Sequence, residues 1–537
     1  MIIRMVLSVW EEPIIGKVRW GKDPKKRPHK SRFREKKAFF WLPLRPSLLY
    51  VWAMLLLINT NRMIPPIAPV GLDYVACAAR EAGIETQVLD LCMVDDPHRA
   101  IAECLANVRP ELIAVTIRNT DDCFWPSGAW FVPDLQQTLN EIRRHTDAPV
   151  VLGGAGFSIF AQQVMERTNA EFGIHGDGEQ AIVGLMAELQ GSRCFEKVAG
   201  LLWRNNGHVQ ANLPAWHSPL KVPTRRNAFD NRTYFRLGGQ VGVETKRGCA
   251  RQCAYCADPL AKGSVARVRN PSEVADEFQA LLDQGIDVLH LCDAEFNLPL
   301  NHAMAVCDEL IRRDLGSRVR WYAYLAVVPL DIDLVGRMRR AGCVGINFTS
   351  DSANTAMLNR YRQPHRQEDI SKAVRFCRKK GIAVMLDLLL GGPGETPETL
   401  AESIRFFKAI NPDCVGAGLG LRIYPGTTME HIIAAEGPME ANPSIRRHYT
   451  GPIDLLQPTF YIASTLGERP AQLVNDLIAG DPRFFPPEDE FAASQNSGDH
   501  NYNANQPLCD AIANGARGAY WDILRKLRNP DCCPCSQ

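Results

Sequence analysis

The sequence predicts an α/β protein: a doubly wound parallel sheet, then a partial (β/α)6 barrel and a mixed C-terminal segment. Three observations predict it. Short apolar runs alternate with helix-period segments over residues 55–175, the pattern of parallel strands joined by crossover helices. The same alternation resumes after Cys256 and runs for about six strand–helix units to Ala435, short of a closed eight-strand barrel. At 537 residues the chain is long enough for two or three domains.

In order, residues 55–59 read as a strand, 70–82 as a helix stopped by Gly83, 85–91 as a strand, 98–108 as a helix and 112–117 as a strand. A helix over 133–146, a strand over 150–152, a helix over 161–167 and a strand over 172–175 complete the first sheet. Leu201-Leu-Trp and His208-Val-Gln read as a hairpin across Asn206-Gly207, residues that accept positive φ. Barrel strands are expected at 241–245, 288–292, 319–323, 344–348, 384–390 and 415–423. The expected division is an N-terminal extension (1–53), a Rossmann-like domain (54–190), a proline-containing connector (191–240), the barrel (241–435) and a C-terminal segment (436–537). That last segment is expected to cap the barrel mouth and help form a substrate pocket.

The extension differs from the rest. Residues 17–37 are dense in Lys and Arg, and 38–58 are largely apolar. Pro43, Arg45 and Pro46 interrupt the apolar run, and what remains is too short to span a bilayer. Met54-Leu-Leu-Leu-Ile reads instead as a buried strand, so the preceding residues are expected to be disordered or spurious. A net charge of +1 and a hydrophobic fraction of 46% describe an ordinary soluble protein. No broad basic field suggests nucleic acid, and no membrane association is expected. The 17 cysteines lack the spacing of a disulfide framework, which points to a reducing, cytoplasmic setting.

Three of those cysteines form the most informative motif. Cys249, Cys253 and Cys256 lie in Gly248-Cys-Ala-Arg-Gln-Cys-Ala-Tyr-Cys. Thiolates at C-x3-C-x2-C spacing can hold three irons of a 4Fe-4S cluster and leave the fourth open to a ligand. Chance yields such a pattern in about 2% of chains with this cysteine content, so context decides. A structural zinc needs a fourth Cys or His close by, and about thirty residues follow without one. A strand leads in, Gly248 permits a sharp turn, and Tyr255 can shield a cluster from water.

This arrangement resembles the radical SAM superfamily, in which the open iron binds the amino and carboxylate groups of S-adenosylmethionine (SAM). The resemblance implies SAM contacts from Tyr255, from Asp293 and Glu295 in Cys292-Asp-Ala-Glu-Phe-Asn, and from Ser350 in Thr349-Ser-Asp-Ser. It extends to Gly391, Gly392 and Glu395 in Leu390-Gly-Gly-Pro-Gly-Glu-Thr, where Glu395 would fix the turn, and to Arg422 in Arg422-Ile-Tyr-Pro-Gly. An acid after a strand is also a common helix cap.

Upstream, Pro65-Pro66, Gly153-Gly-Ala-Gly-Phe-Ser and Gly176-Asp-Gly-Glu-Gln-Ala resemble, in that order, the loops of the cobalamin-binding domain that precedes many radical SAM cores. The implied cobalamin contacts are Asn61, Pro66, Arg118, Gly153, Gly154, Gly156, Ser158, Gly176, Gly178 and Glu179. No Gly-x-Gly-x-x-Gly follows the first strand, which disfavours a nicotinamide cofactor. Residues 59–71 contain no His, so the cobalt is expected to lack a protein histidine. Arg118 would lie near the lower corrin face, where a cation disfavours a donor ligand on cobalt, or it would pair with Asp121 or Asp122.

The chain thus resembles a cobalamin-dependent radical SAM enzyme carrying a 4Fe-4S cluster, SAM and cobalamin. The resemblance implies methylation of an unactivated or weakly nucleophilic carbon through a deoxyadenosyl radical and methylcobalamin. A non-radical variant would methylate an electron-rich carbon such as an indole. Ring formation or skeletal rearrangement is the enzyme alternative, and a cobalamin or redox sensor the non-enzyme one. A tRNA methylthiolating enzyme lacks support, since no second cysteine triad precedes Cys249. A small-molecule or peptide substrate and an external electron donor of the flavodoxin or ferredoxin type are the expected partners. The terminal Cys532, Cys533 and Cys535 read as a frayed tail or a metal site.

Overall fold

The computed structural model describes residues 54–489 and 501–528. The expected extension over 1–53 and the three terminal cysteines lie outside these residues.

In β1 (Met54–Asn59), Leu55, Leu56, Leu57 and Ile58 are wholly buried, as a parallel strand covered by helices on both faces requires. β2 (Glu85–Asp90), β3 (Leu112–Thr116), β4 (Val150–Gly153) and β5 (Phe172–Ile174) join it in parallel, in the order β2-β1-β3-β4-β5. The order reverses between β1 and β3, which opens a crevice beyond the carboxyl ends of the strands. β6 (Leu201–Asn205) and β7 (His208–Ala211) form the expected hairpin, and β6 pairs antiparallel with β5. This part of residues 191–240 therefore extends the first sheet.

β8 (Val241–Val243) starts the second sheet. An antiparallel ribbon of β9 (Lys246–Arg247) and β10 (Arg267–Val268) brackets the cysteine loop. β11 (Val288–Leu291), β12 (Arg320–Ala326), β13 (Cys343–Asp351), β14 (Ala383–Leu390) and β15 (Cys414–Leu419) then follow side by side, all parallel, with a helix between each successive pair. The single strand expected over 415–423 is broken at Gly420, which has φ 97°. Beyond it, β16 (Leu421–Arg422) leaves the barrel for a small antiparallel sheet with β17 (Ile445–Arg447) and β18 (Thr459–Tyr461). β19 (Phe484–Phe485) adds a short parallel strand beside β15.

The C-terminal segment serves both ends of the barrel. At the mouth, Ala463 N–H donates to Gly391 O. At the opposite end, Leu508, Ile512 and Trp521 pack with Val288, Tyr322, Met385 and Cys414, which lie at or near the amino ends of their strands. This part of the segment is a floor rather than a cap.

The two halves are locked by a buried polar network. Tyr74, on the helix Val70–Glu81, donates to Glu277 at 2.8 Å, and Arg226 bridges Asp73 and Glu277 at 3.3 and 3.2 Å. Arg269 adds a 2.6 Å ion pair to Glu277. All these side chains are buried, so each charge depends on its partners.

Candidate active site

The cysteine loop begins at a forced turn. Gly248 has φ 81°, and a Cβ there would lie 2.3 Å from Val265 O. Cys249 N–H donates to Gly263 O, Ala254 N–H to Tyr361 O, and Met429 N–H to Ala254 O, so the loop is held from three directions. All three thiols are free. Burial pushes each of them up, Cys253 to about 12; Asp351 and Glu295 raise Cys253 further and Asp258 raises Cys256, with the neighbouring thiols adding less. Buried thiols this close repel as thiolates unless a cationic group binds them. Lys246, buried beside the loop, offsets part of this at Cys249. Gln363 Nε2 donates to Cys253 Sγ at 3.4 Å.

The SAM-side candidates divide by what they already hold. Glu295 accepts from Thr349 Oγ1 at 2.8 Å, while its Oε2 is buried without a partner. Burial raises its carboxyl to about 7. Asp293 is committed: it accepts from Thr245 N–H (2.8 Å), Thr245 Oγ1 (2.5 Å) and Lys246 N–H (3.2 Å), tying β11 to the start of the cysteine loop. Tyr255 hydroxyl donates to Asp351 at 2.7 Å, and Ser350 donates to Asp387 O at 2.7 Å. Glu395 accepts from Gly391 N–H at 2.6 Å and fixes that turn. Gly391 has φ 88°, and a Cβ on Gly392 would strike Tyr361 at 2.2 Å.

Arg422 is a correction. Its Nε and Nη2 bind Asp121 at 3.1 and 2.9 Å, and its remaining N–H groups reach Ile423, Thr459 and Leu455 carbonyls. A guanidinium spent this way has no donor left for adenosine; it clamps the loop after β3 to the barrel.

The loops of the first sheet open on a cavity of about 660 Å³. Asn61, Arg118, Gly153, Gly154, Ser158, Gly176, Gly178 and Glu179 line it. The buried Nδ2 of Asn61 has no partner. Ser158 accepts from Gly176 N–H at 3.0 Å and donates to Gly154 O at 2.9 Å, joining two glycine turns. Two expected contacts are displaced. Pro66 does not line the cavity; its carbonyl would lie 2.1 Å from a Cβ on Gly238. Gly156 packs under Asn119, where a Cβ would meet backbone at 2.9 Å. Glu179 is held by a bidentate pair with Arg247 at 2.7 and 3.0 Å. Arg247 also binds Glu244 at 2.8 Å and lies directly before Gly248.

Arg118 makes neither of its expected ion pairs. Asp121 is taken by Arg422, and Asp122 accepts from Ser127 and backbone N–H groups. The Arg118 guanidinium instead contacts Asn119 Oδ1 at 3.2 Å and Met63 Sδ at 3.6 Å, at the cavity wall. The far side of the cavity reaches the barrel interior at His290, Cys292 and Tyr324 and the floor at Tyr502, Tyr520 and Trp521. Cys292 and Tyr502 fall in segments that the sequence singles out, whereas His290 and Tyr324 show only as polar or aromatic residues within apolar strands and Tyr520 and Trp521 lie on the last described helix.

Comparison with known proteins agrees with this geometry. Residues 243–407 match the radical SAM superfamily and residues 64–186 the B12 binding domain. The chain is 31% identical over 433 residues to tryptophan 2-C-methyltransferase of Streptomyces laurentii, covering 69% of this chain and 72% of that protein. The chain belongs to the cobalamin-dependent radical SAM methyltransferases. The structure of the radical SAM methyltransferase TsrM from Kitasatospora setae, with tryptophan substrate and a SAM analog bound, superposes with a TM-score of 0.82 at 30% identity, covering 89% of this chain and 98% of that one. A more distant relative is the anaerobic magnesium-protoporphyrin IX monomethyl ester cyclase of Cereibacter sphaeroides, 25% identical over 64% of this chain and 57% of that one.

The residues fit the cofactors of this methyltransferase family. Three adjoining free thiols suit a 4Fe-4S cluster with an open iron. The orphaned Glu295 Oε2 suits an N–H of the SAM amino group. The glycine turns around a cavity with a polar rim suit a corrinoid. No helix among the described residues is long and apolar enough to cross a membrane.

Proposed function

We propose that this methyltransferase acts on an indole carbon of tryptophan or of a tryptophan-like small molecule. One observation carries the reading: a single cavity joins the cobalamin-side loops to an aromatic barrel interior. The tryptophan specificity of the Streptomyces laurentii relative and the tryptophan bound in the Kitasatospora setae enzyme support it. When bound, SAM would supply the methyl group and cobalamin would carry it, and the cluster would supply an electron only on the radical route.

The chain's own residues position and shield. Glu295 orients SAM, and Tyr255 and Gln363 bind Asp351 beside the cysteine loop. Arg118 places a cation at the cavity wall, and residues 59–71 offer no histidine; both would suit a corrinoid held without a histidine from that loop. The floor closes the interior to water at the amino ends of the strands. The fourteen free cysteines among the described residues suit a reducing cytoplasm, where an external low-potential electron donor would serve the cluster.

The test is anaerobic reconstitution with iron, sulfide and hydroxocobalamin, followed by incubation with methyl-deuterated SAM, a reductant and L-tryptophan. Mass spectrometry should show a trideuteromethyl group on the indole. Deoxyadenosine released with it identifies the radical route, and its absence the polar one. Bound corrinoid with no labelled indole across a panel of indoles would overturn the substrate reading.

A further inference from the structure

Within the barrel, one layer of inward-facing residues consists mainly of hydrogen-bond acceptors. Strand alternation turns His290, Tyr324, Asn347 and Asp387 to the interior, while Val384, Leu386, Leu388 and Leu390 on β14 face the helices and are buried in the main core. Tyr324 and Asn347 are register partners on β12 and β13. Tyr324 stacks obliquely on His290, with ring centroids 5.2 Å apart.

Their hydrogen-bonding capacity is unbalanced. His290 Nδ1 lies 3.0 Å from Leu291 O; a carbonyl only accepts, so this nitrogen carries the proton and Nε2 keeps its lone pair. Burial lowers the imidazole to about 4, so it is neutral at physiological pH. Asn347 is 4% exposed, and its Oδ1 is buried without a partner. Asp387 forms no ion pair among the described residues, and its carboxyl is raised to about 7 by burial, which the amide of Asn347 partly opposes. The Asp387 side chain is half-buried. His290 Nε2, Asn347 Oδ1 and the Asp387 carboxylate therefore face only two donor groups, the Tyr324 hydroxyl and the Asn347 amide, and the amide is already turned toward Asp387. Leaving such groups unmatched is costly, and a cationic donor would match them.

We propose that His290, Asn347 and Asp387 form a subsite for the protonated amine of the substrate, whose aromatic body packs on Tyr324 and the floor residue Trp521. This deepens the proposed function, on which it rests, by naming the charge the substrate carries. It also gives two carboxylates separate roles, Glu295 accepting from the amino group of SAM and Asp387 binding the ammonium of the substrate.

The test is calorimetric titration of the full chain, loaded with cluster and cobalamin, under anaerobic conditions. The probes are tryptamine against tryptophol and 2-phenylethylamine against 2-phenylethanol, pairs that exchange an ammonium for a neutral hydroxyl. The wild type should favour each amine by about tenfold or more, the worth of a charge-assisted contact. Asp387→Asn, shown to load cobalamin and iron normally, should lose most of that preference while binding the alcohols as before. Asn347→Ser provides the same test if Asp387→Asn fails to load. Equal binding of amine and alcohol by the wild type, no binding of either pair, or an unchanged preference in the variant would overturn the subsite. An intact, Asp387-dependent amine preference with no methylation of any indole would instead overturn the indole reading and leave the subsite standing.

Discussion

Glu295 combines a carboxyl raised to about 7 by burial with an oxygen that has no partner inside the protein. Only its ionised form accepts strongly from an amino N–H, so SAM affinity should rise between pH 6 and 8, about one unit either side of that value. Glu295→Gln should flatten this rise and weaken SAM binding by about tenfold to a hundredfold, the scale of one charged hydrogen bond, as read by equilibrium binding across pH. Without SAM the sign reverses. The folded state then holds the proton more tightly than the unfolded chain, so stability falls as pH rises from the ordinary carboxylate range through about 7. Cys253 supports two further expectations. Cys253→Ala removes an iron ligand, and iron content and methylation should be lost together. Gln363→Leu removes the N–H that lies 3.4 Å from Cys253 Sγ, and the cluster potential measured by redox titration should become more negative.

Among the elements, the turn at Gly248 controls how the thiols are presented. Gly248→Ala forces a side chain to φ 81° and against Val265 O. It should cost about 1–3 kcal/mol of local strain, seen as poorer iron loading and a lower melting temperature. The same element shows what sequence can and cannot disclose. The cysteine spacing is local, so the cluster loop was legible at once. So were the strands and helices of both sheets, because burial on both faces writes unbroken apolar runs into them. The small sheet of β16–β18 was not, since strands of two or three residues carry no period. Arg422 was misplaced because its partner, Asp121, lies 301 residues away. The interior layer of His290, Tyr324, Asn347 and Asp387 appears only once four strands, β11 to β14, lie beside one another. Asp387 within Val-Met-Leu-Asp-Leu-Leu was the hint that a polar group had been kept in a core strand for a reason other than packing.

Across the molecule, the two halves meet through ions rather than apolar contact alone. Arg422, on β16 of the small antiparallel sheet, pairs with Asp121 after β3, and Arg247, on β9 of the ribbon before the cysteine loop, pairs with Glu179 in the helix after β5. Arg422→Met would leave Asp121 buried without its cation, a loss of about 3–5 kcal/mol for a pair of this kind. Chemical denaturation should show that loss, and the double variant with Asp121→Asn should recover part of it. Because Arg247 is joined in sequence to Gly248, the contact that docks the first sheet also steadies the cysteine loop. The barrel floor, in contrast, belongs to residues 501–528, far along the chain from that loop. The cysteine loop and the barrel floor are therefore written in separate stretches of the gene, and a lineage could reshape the floor through residues 501–528 while leaving the cysteine loop untouched.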